Sequence, residues 1–355
     1  MLTPEHVSIK ARKVRQGVPN GSGAGQSKAI PPERNLPLRP TQPMTIAAFV
    51  LVAALLGGGW LWTPDKDRDT LEASYAPAPS RFVSVLGVRL HVRDTGPRDA
   101  PALIMLHGFG SSLHTWEPWA QALETRYRVI RLDLPGAGLT GADPSGDYSD
   151  ERGVRIVTAL MDQLGVPRAT LIGHSMGGRL AWRMAADVPA RVDKLVLVAP
   201  DGFASPGFEY GKAPEVTLPV KAMQYILPKA VLRMSLAPAY ADPSRMTPEI
   251  VDRYYDMMLA PQVRPALIAR MQQLVLQPPT PWLQRITAPT LLLWGEKDAM
   301  IPVANAQDYL RDIRGSQLVT LPGVGHLPHE EAPAASLPAV RAFLDGQPLS
   351  PSPPG

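Results

Sequence analysis

The chain has 355 residues, with 36 lysines and arginines against 32 aspartates and glutamates, which gives a formal net charge of +4. Hydrophobic residues make up 45% and charged residues 19% of the sequence, ordinary proportions for a folded protein that buries a sizeable core. Because the sequence has no cysteine, disulfides, thiolate nucleophiles and cysteine-ligated metal centres are excluded.

The excess of positive charge belongs to the N-terminal arm. Residues 1–43 hold seven of the basic and two of the acidic residues, which leaves 29 basic and 30 acidic residues for the rest of the chain. We therefore expect no nucleic-acid partner, since a binding surface would need a basic patch on the folded part. The arm is rich in Pro, Gly and Ser without a hydrophobic period, so we predict that it is disordered, unless translation starts at Met44.

Residues 44–62, MTIAAFVLVAALLGGGWLW, form the one long uncharged stretch. As a helix these 19 residues would extend roughly 28 Å, close to the roughly 30 Å of bilayer hydrocarbon. Trp60 and Trp62 stand where such a helix would meet the interface, and charged residues follow at 65–69. We predict a single-pass transmembrane signal anchor, with the basic arm in the cytoplasm and the catalytic part on the extracytoplasmic side.

Two alternatives to the anchor stay open. A cleaved signal peptide would give a secreted or periplasmic protein, but its apolar region is usually shorter, about 7 to 15 residues. The nearby Ala-x-Ala sequence, at Ala76–Ala78, lies far downstream and is followed by Pro79. A buried helix of a soluble domain would normally show a polar side. For residues 63–80 we predict a linker.

From Arg81 onward, short β-rich runs alternate with helical patterns, which is typical of a mostly parallel sheet with helices on both faces. Eight strands are predicted, at Phe82–Val85, Arg89–Val92, Ala102–Leu106, Arg128–Leu132, Thr170–Gly173, Lys194–Val198, Thr290–Trp294 and Leu318–Leu321. Helices are predicted near Leu113–Leu123, Asp150–Leu164, Met176–Val188, Val303–Arg311 and Ala334–Leu344.

The alternation is interrupted by residues 203–286, which are rich in Pro and Met and contain helical patterns at Pro248–Leu259 and Pro265–Leu276. This segment is predicted to be a helical insertion between two strands. The core is then formed by residues 81–202 and 287–346, and residues 347–355 are predicted to be a disordered tail.

Gly173-His-Ser-Met-Gly177 matches the pattern G-x-S-x-G and lies between a predicted strand and a predicted helix. Glycines are needed there because such a turn packs too tightly for side chains on either side of the serine. The five-residue pattern alone is weak, but its place between strand and helix predicts that Ser175 is a nucleophile at a helix N-terminus, where negative charge is favoured.

A serine nucleophile needs a base, and the base needs an orienting acid. Asp298 follows one late strand and His326 follows the next, so both should lie at the carboxyl edge of the sheet, beside Ser175. The order Ser, Asp, His is that of α/β-hydrolases. Alternatives for the acid are Asp201 and Glu296, and the competing base is His329.

Backbone N–H groups must stabilise the oxyanion that forms during acyl transfer. The turn His107-Gly-Phe-Gly110 follows another strand, so the amides of Phe109 and Met176 are the predicted donors. His107 is predicted to shape this loop, because one base already serves the nucleophile.

Five motifs in register then make the chain resemble the α/β-hydrolase superfamily from about residue 81 to residue 344. They are HGFG at 107–110, DLPGAG at 133–138, GHSMGG at 173–178, WGEKD at 294–298 and GVGHLPHEEAP at 323–333. The resemblance is to the branch with a helical cap, which contains lipases, esterases and carbon–carbon bond hydrolases, and it implies that residues 203–286 are the cap over the acyl pocket. At Ala137, members usually carry an aromatic residue or histidine, which affects substrate shape rather than the triad.

The expected reaction is two-step acyl transfer to water on a small-molecule acyl substrate, with no metal or organic cofactor. A carboxylic ester is favoured because His174, before the nucleophile, is usual in the esterases and lipases that the chain resembles, whereas carbon–carbon bond hydrolases more often have Asn. A carbon–carbon bond hydrolase and a non-catalytic binding protein remain alternatives. The methionines of the cap either fill its core or line an adaptable pocket, Trp116 and Trp119 are expected in the core, and the oligomeric state is left open.

Overall fold

The computed structural model describes residues 62–349, together with the single position 47. The predicted arm, the predicted anchor except positions 47 and 62, and residues 350–355 of the predicted tail lie outside the described residues. Among the helices that are described, none is both long and apolar enough to cross a membrane.

Eight strands form one sheet in the order β1-β2-β4-β3-β5-β6-β7-β8. Only the pairs β1–β2 and β2–β4 are antiparallel, so the prediction of a mostly parallel eight-stranded sheet is confirmed. The strands are β1 Ser80–Val85, β2 Val88–Thr95, β3 Ala102–Leu106, β4 Arg128–Leu132, β5 Ala169–His174, β6 Val192–Val198, β7 Thr290–Gly295 and β8 Gln317–Leu321.

The helices fall mainly between the strands. In chain order they are α1 Arg68–Tyr75, α2 Glu117–Leu123, α3 Asp150–Gln163, α4 Met176–Asp187, α5 Leu218–Ala222, α6 Lys229–Leu236, α7 Pro248–Met258, α8 Val263–Gln273, α9 Thr280–Leu283, α10 Asn305–Asp312, α11 Pro328–Glu331 and α12 Pro333–Leu344. A short 3₁₀ helix, Leu113–Trp116, precedes α2.

Successive residues of the central strands enter the cores on opposite faces of the sheet, as the period of two in a strand requires. In β3, Ile104 packs with α3, α4 and α10 on one face. Its neighbour Met105 packs on the other face with α12 and with Trp116 and Trp119, both in the core as predicted. Because both faces are covered, the central strands are nearly continuous apolar runs, and their carboxyl ends remain to form a site.

The prediction of a linker at 63–80 is wrong for the part that forms a packed helix. Residues 68–75 form α1, which begins at the side-chain cap from Asp67 to the amide of Thr70. Leu71 is buried in a cluster with residues of α6, α7 and α8. One apolar side chain in an otherwise polar stretch gives too weak a periodic signal to predict a packed helix, so the contact depends on partners almost 200 residues away.

The predicted helical insertion at 203–286 contains α5 to α9, but these helices do not all pack together. The helices α6, α7 and α8 share the apolar cluster that includes Leu71. In contrast, α9 packs on α4, and Leu283 and Ile286 are buried in the main core. We use the name cap for α5 to α8 from here on, since the last part of the segment belongs to the core. At the other end of the chain, Leu349 packs against the core, so the predicted disorder does not begin at residue 347.

Candidate active site

Ser175 occupies the turn between β5 and α4 with φ of 50° and ψ of −119°, a conformation that L-residues rarely adopt. A Cβ atom at Gly173 would lie 2.3 Å from the carbonyl oxygen of Gly177, and one at Gly177 would lie 2.2 Å from that of Leu106. Only glycine therefore fits at these two positions, which lie two residues before and two residues after the serine. The Ser175 amide donates to the Val198 carbonyl at 3.0 Å, which fixes the turn against β6.

His326 and Asp298 form a buried hydrogen-bonded pair, with 2.7 Å between Nδ1 and Oδ2. The other carboxylate oxygen of Asp298 accepts from the amides of Met300 and Ile301, each at 2.8 Å. The amide of His326 donates to Ala239 of the segment after α6, at 2.8 Å. Because Nδ1 faces the carboxylate, Nε2 is the imidazole atom left to accept a proton.

Ser175 and His326 line the same cavities. Within residues 62–349, the Ser175 hydroxyl and the His326 imidazole do not form a hydrogen bond with each other, although such contacts often shorten only when substrate is bound. The structure thus joins two of the three predicted triad residues directly and places the third at the same cavity wall.

The alternative acids and base are engaged elsewhere. Asp201 faces Arg179 at 3.8 Å, and the Glu296 carboxylate accepts from Thr320 at 2.9 Å. His329 is fully buried, stacks on Trp116 with 4.1 Å between ring centroids, and bonds through Nε2 to the Thr115 hydroxyl. The geometry therefore favours Asp298 and His326.

The loop after β3 packs directly on the serine turn. A Cβ at Gly108 would lie 3.3 Å from the Cβ of Ser175, so the loop backbone reaches the nucleophile because this residue is glycine. In the described part of the chain, neither the Phe109 nor the Met176 amide has a backbone acceptor outside the regular elements. Both amides thus remain available as the predicted oxyanion donors.

His107 shapes this loop through both ring nitrogens. Its Nε2 accepts from the Leu134 amide at 2.9 Å, so Nδ1 carries the proton and donates to the Gly108 carbonyl at 2.8 Å. Burial lowers the pKa of His107, which fits this neutral form. With both nitrogens occupied, His107 has no lone pair for a substrate proton.

Two cavities meet at Ser175. The first, here called the apolar lobe, has a volume of about 300 Å³ and lies beneath the cap; its walls are mainly apolar and include Val220, Met223, Leu232, Leu236, Leu267 and Ile268. The second, here called the polar lobe, has a volume of about 340 Å³ and is lined by Tyr148, Asp150, Arg179, Arg183, Asp201 and Arg270 among others. Phe109, Met271, Met300 and His326 also line both lobes.

The cap methionines serve two purposes. Met223, Met258 and Met271 line the apolar lobe, as expected for an adaptable pocket wall. Met246 and Met257 are buried in packing, and Met234 is exposed. Sequence alone left both roles open because helical spacing does not tell which side of a short helix faces a cavity.

A buried polar cluster, which sequence analysis did not identify, joins the cap to the His326 loop. The Glu330 carboxylate accepts from Arg253 at 2.6 Å and also from the Tyr240 hydroxyl. Burial and the charge of Glu330 raise the pKa of Tyr240. Glu331 accepts from the Gly325 amide at 2.7 Å, directly before His326. The signal was the pair of acids in HLPHEEAP, but its partners lie about 80 residues earlier.

The polar lobe was also missed. Arg179 and Arg270 come from helices α4 and α8, and their convergence on one cavity depends on how those helices pack. As for metals, no group of three or more His, Asp or Glu suited to a metal ion occurs among the described residues.

The eight-stranded sheet, the serine turn and the His–Asp pair at its carboxyl edge define a hydrolase of the α/β type. The model of the α/β-hydrolase fold family matches residues 101–333, and the chain belongs to that family.

The chain is similar to a 2-hydroxy-6-oxononadienedioate/2-hydroxy-6-oxononatrienedioate hydrolase of Comamonas testosteroni, with 29% identity over 70% of this chain and 90% of the relative. Among solved structures, a membrane phospholipase A is similar with a TM-score of 0.67 and 25% identity, over 86% of this chain and 99% of the other. The enol-lactonase of Burkholderia xenovorans LB400 gives a TM-score of 0.65 and 25% identity, over 75% and 100% of the two chains.

Proposed function

We propose that this hydrolase cleaves a carboxylic ester through a covalent acyl-enzyme. His326 takes the proton as the Ser175 hydroxyl attacks the acyl carbonyl, and Asp298 holds the imidazole in the required tautomer. The amides of Phe109 and Met176 stabilise the oxyanion. The imidazolium then protonates the leaving alcohol, and water activated by His326 releases the acid and restores Ser175.

One observation carries this proposal: the strained serine turn and the His326–Asp298 pair open onto a single space whose part beneath the cap is mainly apolar. A serine in a rare backbone conformation costs free energy, and such strain is concentrated at functional sites. The buried His–Asp pair beside it supplies a base. The apolar lobe suits a hydrocarbon acyl chain, because burying such a chain removes apolar surface from water.

The similar proteins support two substrate classes. Phospholipase and lactonase are both names of ester-cleaving enzymes, which supports an ester. The Comamonas hydrolase supports the second candidate, cleavage of a carbon–carbon bond in a dienoic acid. We favour the ester because the lobe beneath the cap is lined mainly by apolar side chains, which suit a hydrocarbon acyl chain, and because His174 precedes the nucleophile.

The test is a panel of p-nitrophenyl esters of increasing acyl length, assayed beside a vinylogous diketone acid, with Ser175→Ala as the control. We expect ester turnover that is absent from the control, together with Ser175-dependent labelling by a fluorophosphonate. Turnover of the diketone acid alone would support the second candidate. Labelling and turnover that are both absent would instead indicate a binding protein on a hydrolase scaffold.

We also propose that residues 44–62 anchor the protein in a membrane, with the catalytic part on the extracytoplasmic side. The length and the uncharged composition of this stretch support the proposal. An anchor there would hold the cap near the bilayer, because the Thr63 amide donates to the Tyr225 carbonyl and the Lys66 amide to the Leu259 carbonyl, both at 2.8 Å. Fractionation of the full chain, and of a version beginning at residue 62, tests it: release of only the shorter version supports an anchor. A secreted or periplasmic full chain shortened near residue 62 would indicate signal cleavage.

A further inference from the structure

The polar lobe contains three arginines, two of which have carboxylate partners. Arg183 pairs with Glu151 at 2.8 Å and with Asp187 at 3.1 Å. Arg179 pairs with Asp150 at 2.7 Å and faces Asp201 at 3.8 Å. Their positive charges are therefore balanced within the protein.

Arg270 differs from both. Among the ion pairs of residues 62–349, none includes Arg270, and its one hydrogen bond runs from Nη2 to the Pro135 carbonyl at 2.6 Å. The guanidinium lies over the Tyr148 ring, 5.0 Å from its centroid. Burial lowers the pKa of Arg270 to about 10, so the group stays protonated at neutral pH. A half-buried cation without a counter-ion is unfavourable, and one that lines a cavity favours the binding of an anion there.

Within residues 62–349, none of the acids that line the polar lobe pairs with Arg270. Asp150 and Glu151 are engaged by Arg179 and Arg183. Asp201 is half-buried and faces Arg179, and burial raises its pKa. Among the three arginines that line the lobe, Arg270 is thus the one without a carboxylate partner within residues 62–349.

In the apolar lobe, by contrast, the lining arginine has a carboxylate partner: the Nη2 atom of Arg264 pairs with Asp65 at 2.6 Å. An acyl chain fits this lobe and an anion does not. Since the two lobes meet at Ser175, an ester bond at the nucleophile would direct its alcohol half into the polar lobe.

We propose that the polar lobe binds an anionic group, a phosphate or a carboxylate, on the alcohol half of the ester, with Arg270 as its counter-ion. This inference rests on the proposed ester hydrolysis and adds a substrate class to it. Arg270 is then the residue that determines specificity for charged over neutral alcohols.

The experiment compares three esters with one short acyl chain: 1-hexanoylglycerol, which is neutral, 1-hexanoylglycerol 3-phosphate and 3-O-hexanoylglycerate. The variants are Arg270→Gln and Arg270→Lys, with Arg233→Gln as the control, because Arg233 is an exposed arginine of the cap that lines neither lobe. We expect Arg270→Gln to lower kcat/KM by about tenfold to a hundredfold for an anionic ester and by less than about threefold for the neutral one. Arg270→Lys should keep most of the preference, and Arg233→Gln should leave the ratio of the two kcat/KM values unchanged.

The two anionic esters distinguish the sources of charge, because the one with the larger loss carries the group that Arg270 contacts. Equal losses on neutral and anionic esters, or a wild type that prefers the neutral ester, would overturn the inference while leaving ester hydrolysis intact. Inactivity on all three esters would count against the proposed function instead.

A binding measurement tests the role of Arg270 even if none of the three esters is turned over. Calorimetric titration of Ser175→Ala with the phosphate ester should show binding that salt weakens and that is lost in Ser175→Ala/Arg270→Gln. Equal binding by the two variants, or none by either, would overturn the role of Arg270. Thermal unfolding of each variant shows whether a loss reflects the fold, and Arg270→Lys keeps the test decisive if Arg270→Gln is unstable.

Discussion

At the edge of the sheet, Ser175, His326 and Asp298 are positioned by turns that join parallel strands to helices, and the contacts that fix them are mostly to backbone amides and carbonyls. The cap instead meets the rest of the chain through partly buried ion pairs, Arg253–Glu330 and Arg264–Asp65, and through apolar packing. Substitutions at the edge should therefore change rate with the fold retained, whereas substitutions at the cap contacts should change stability. The predictions below test that difference, from the largest expected effect to the smallest.

Ser175→Ala tests the edge most severely. We expect kcat on an ester to fall by about 10⁵-fold or more, because the attacking hydroxyl is removed and the base then has no partner. The melting temperature should change by only a few degrees, since the hydroxyl makes no hydrogen bond to His326 within residues 62–349. Steady-state kinetics and thermal unfolding check the two parts. Retained turnover would mean that another residue is the nucleophile.

Asp298→Asn keeps the shape of the side chain but removes its charge. Nδ1 of His326 would then face an amide at the present 2.7 Å separation, and the imidazole would no longer be held in the required tautomer. We expect a fall in kcat of about 10⁴-fold. The matched control is Glu296→Gln, near the end of the same strand, which should retain activity. A larger loss in Glu296→Gln would reassign the acid.

Glu330→Gln tests the cap contact. The substitution leaves Arg253 buried without its carboxylate and also weakens the bond from Tyr240, so we expect the free energy of unfolding to fall by about 3 kcal/mol or more. The control is Asp252→Asn, which breaks the exposed pair with Lys229 in the same cap and should cost at most about 1 kcal/mol. Chemical denaturation measures both. Equal losses would show that the buried pair does not hold the cap more firmly than a surface pair does.

Acid should weaken the edge before it weakens the cap, because residues 203–286 contain no histidine. Burial lowers the pKa of His107, His174 and His329 below the ordinary value, and that of His114 to about 4. Below pH 6.5 these histidines bind protons in the unfolded chain but not in the folded one. The free energy of unfolding therefore decreases as the pH is lowered, by up to about 1.4 kcal/mol per pH unit for each histidine. The lowered pKa of Asp133 acts only in stronger acid, since its contribution is complete above the unfolded value and is lost as the folded carboxylate protonates.

Unfolding free energies measured between pH 8 and pH 5 check this slope. His329→Gln should flatten it by about 1.4 kcal/mol per unit, because one proton-binding site of the unfolded chain is gone. An unchanged slope in that variant would show that His329 is protonated in the folded protein.

The sequence alone determined the strands, the serine turn and the candidate triad, because each depends on local signals. Continuous apolar runs predict buried strands, and the glycines at 173 and 177 are required by contacts that the strand–turn–helix pattern implies. The order of the motifs along the chain then placed Ser175, Asp298 and His326 at one edge of a parallel sheet.

Only the tertiary structure decided which acid meets His326, and that α1 packs under the cap while α9 belongs to the core. It also decided that two lobes meet at the serine, one beneath the cap with mainly apolar walls and one lined by arginines and acids. These outcomes rest on pairs far apart in sequence, such as Arg264 with Asp65 and Arg253 with Glu330. An arginine in the sequence does not reveal whether a carboxylate will reach it. For that reason it could be recognised only from the surroundings of Arg270 that this arginine has no carboxylate partner within residues 62–349.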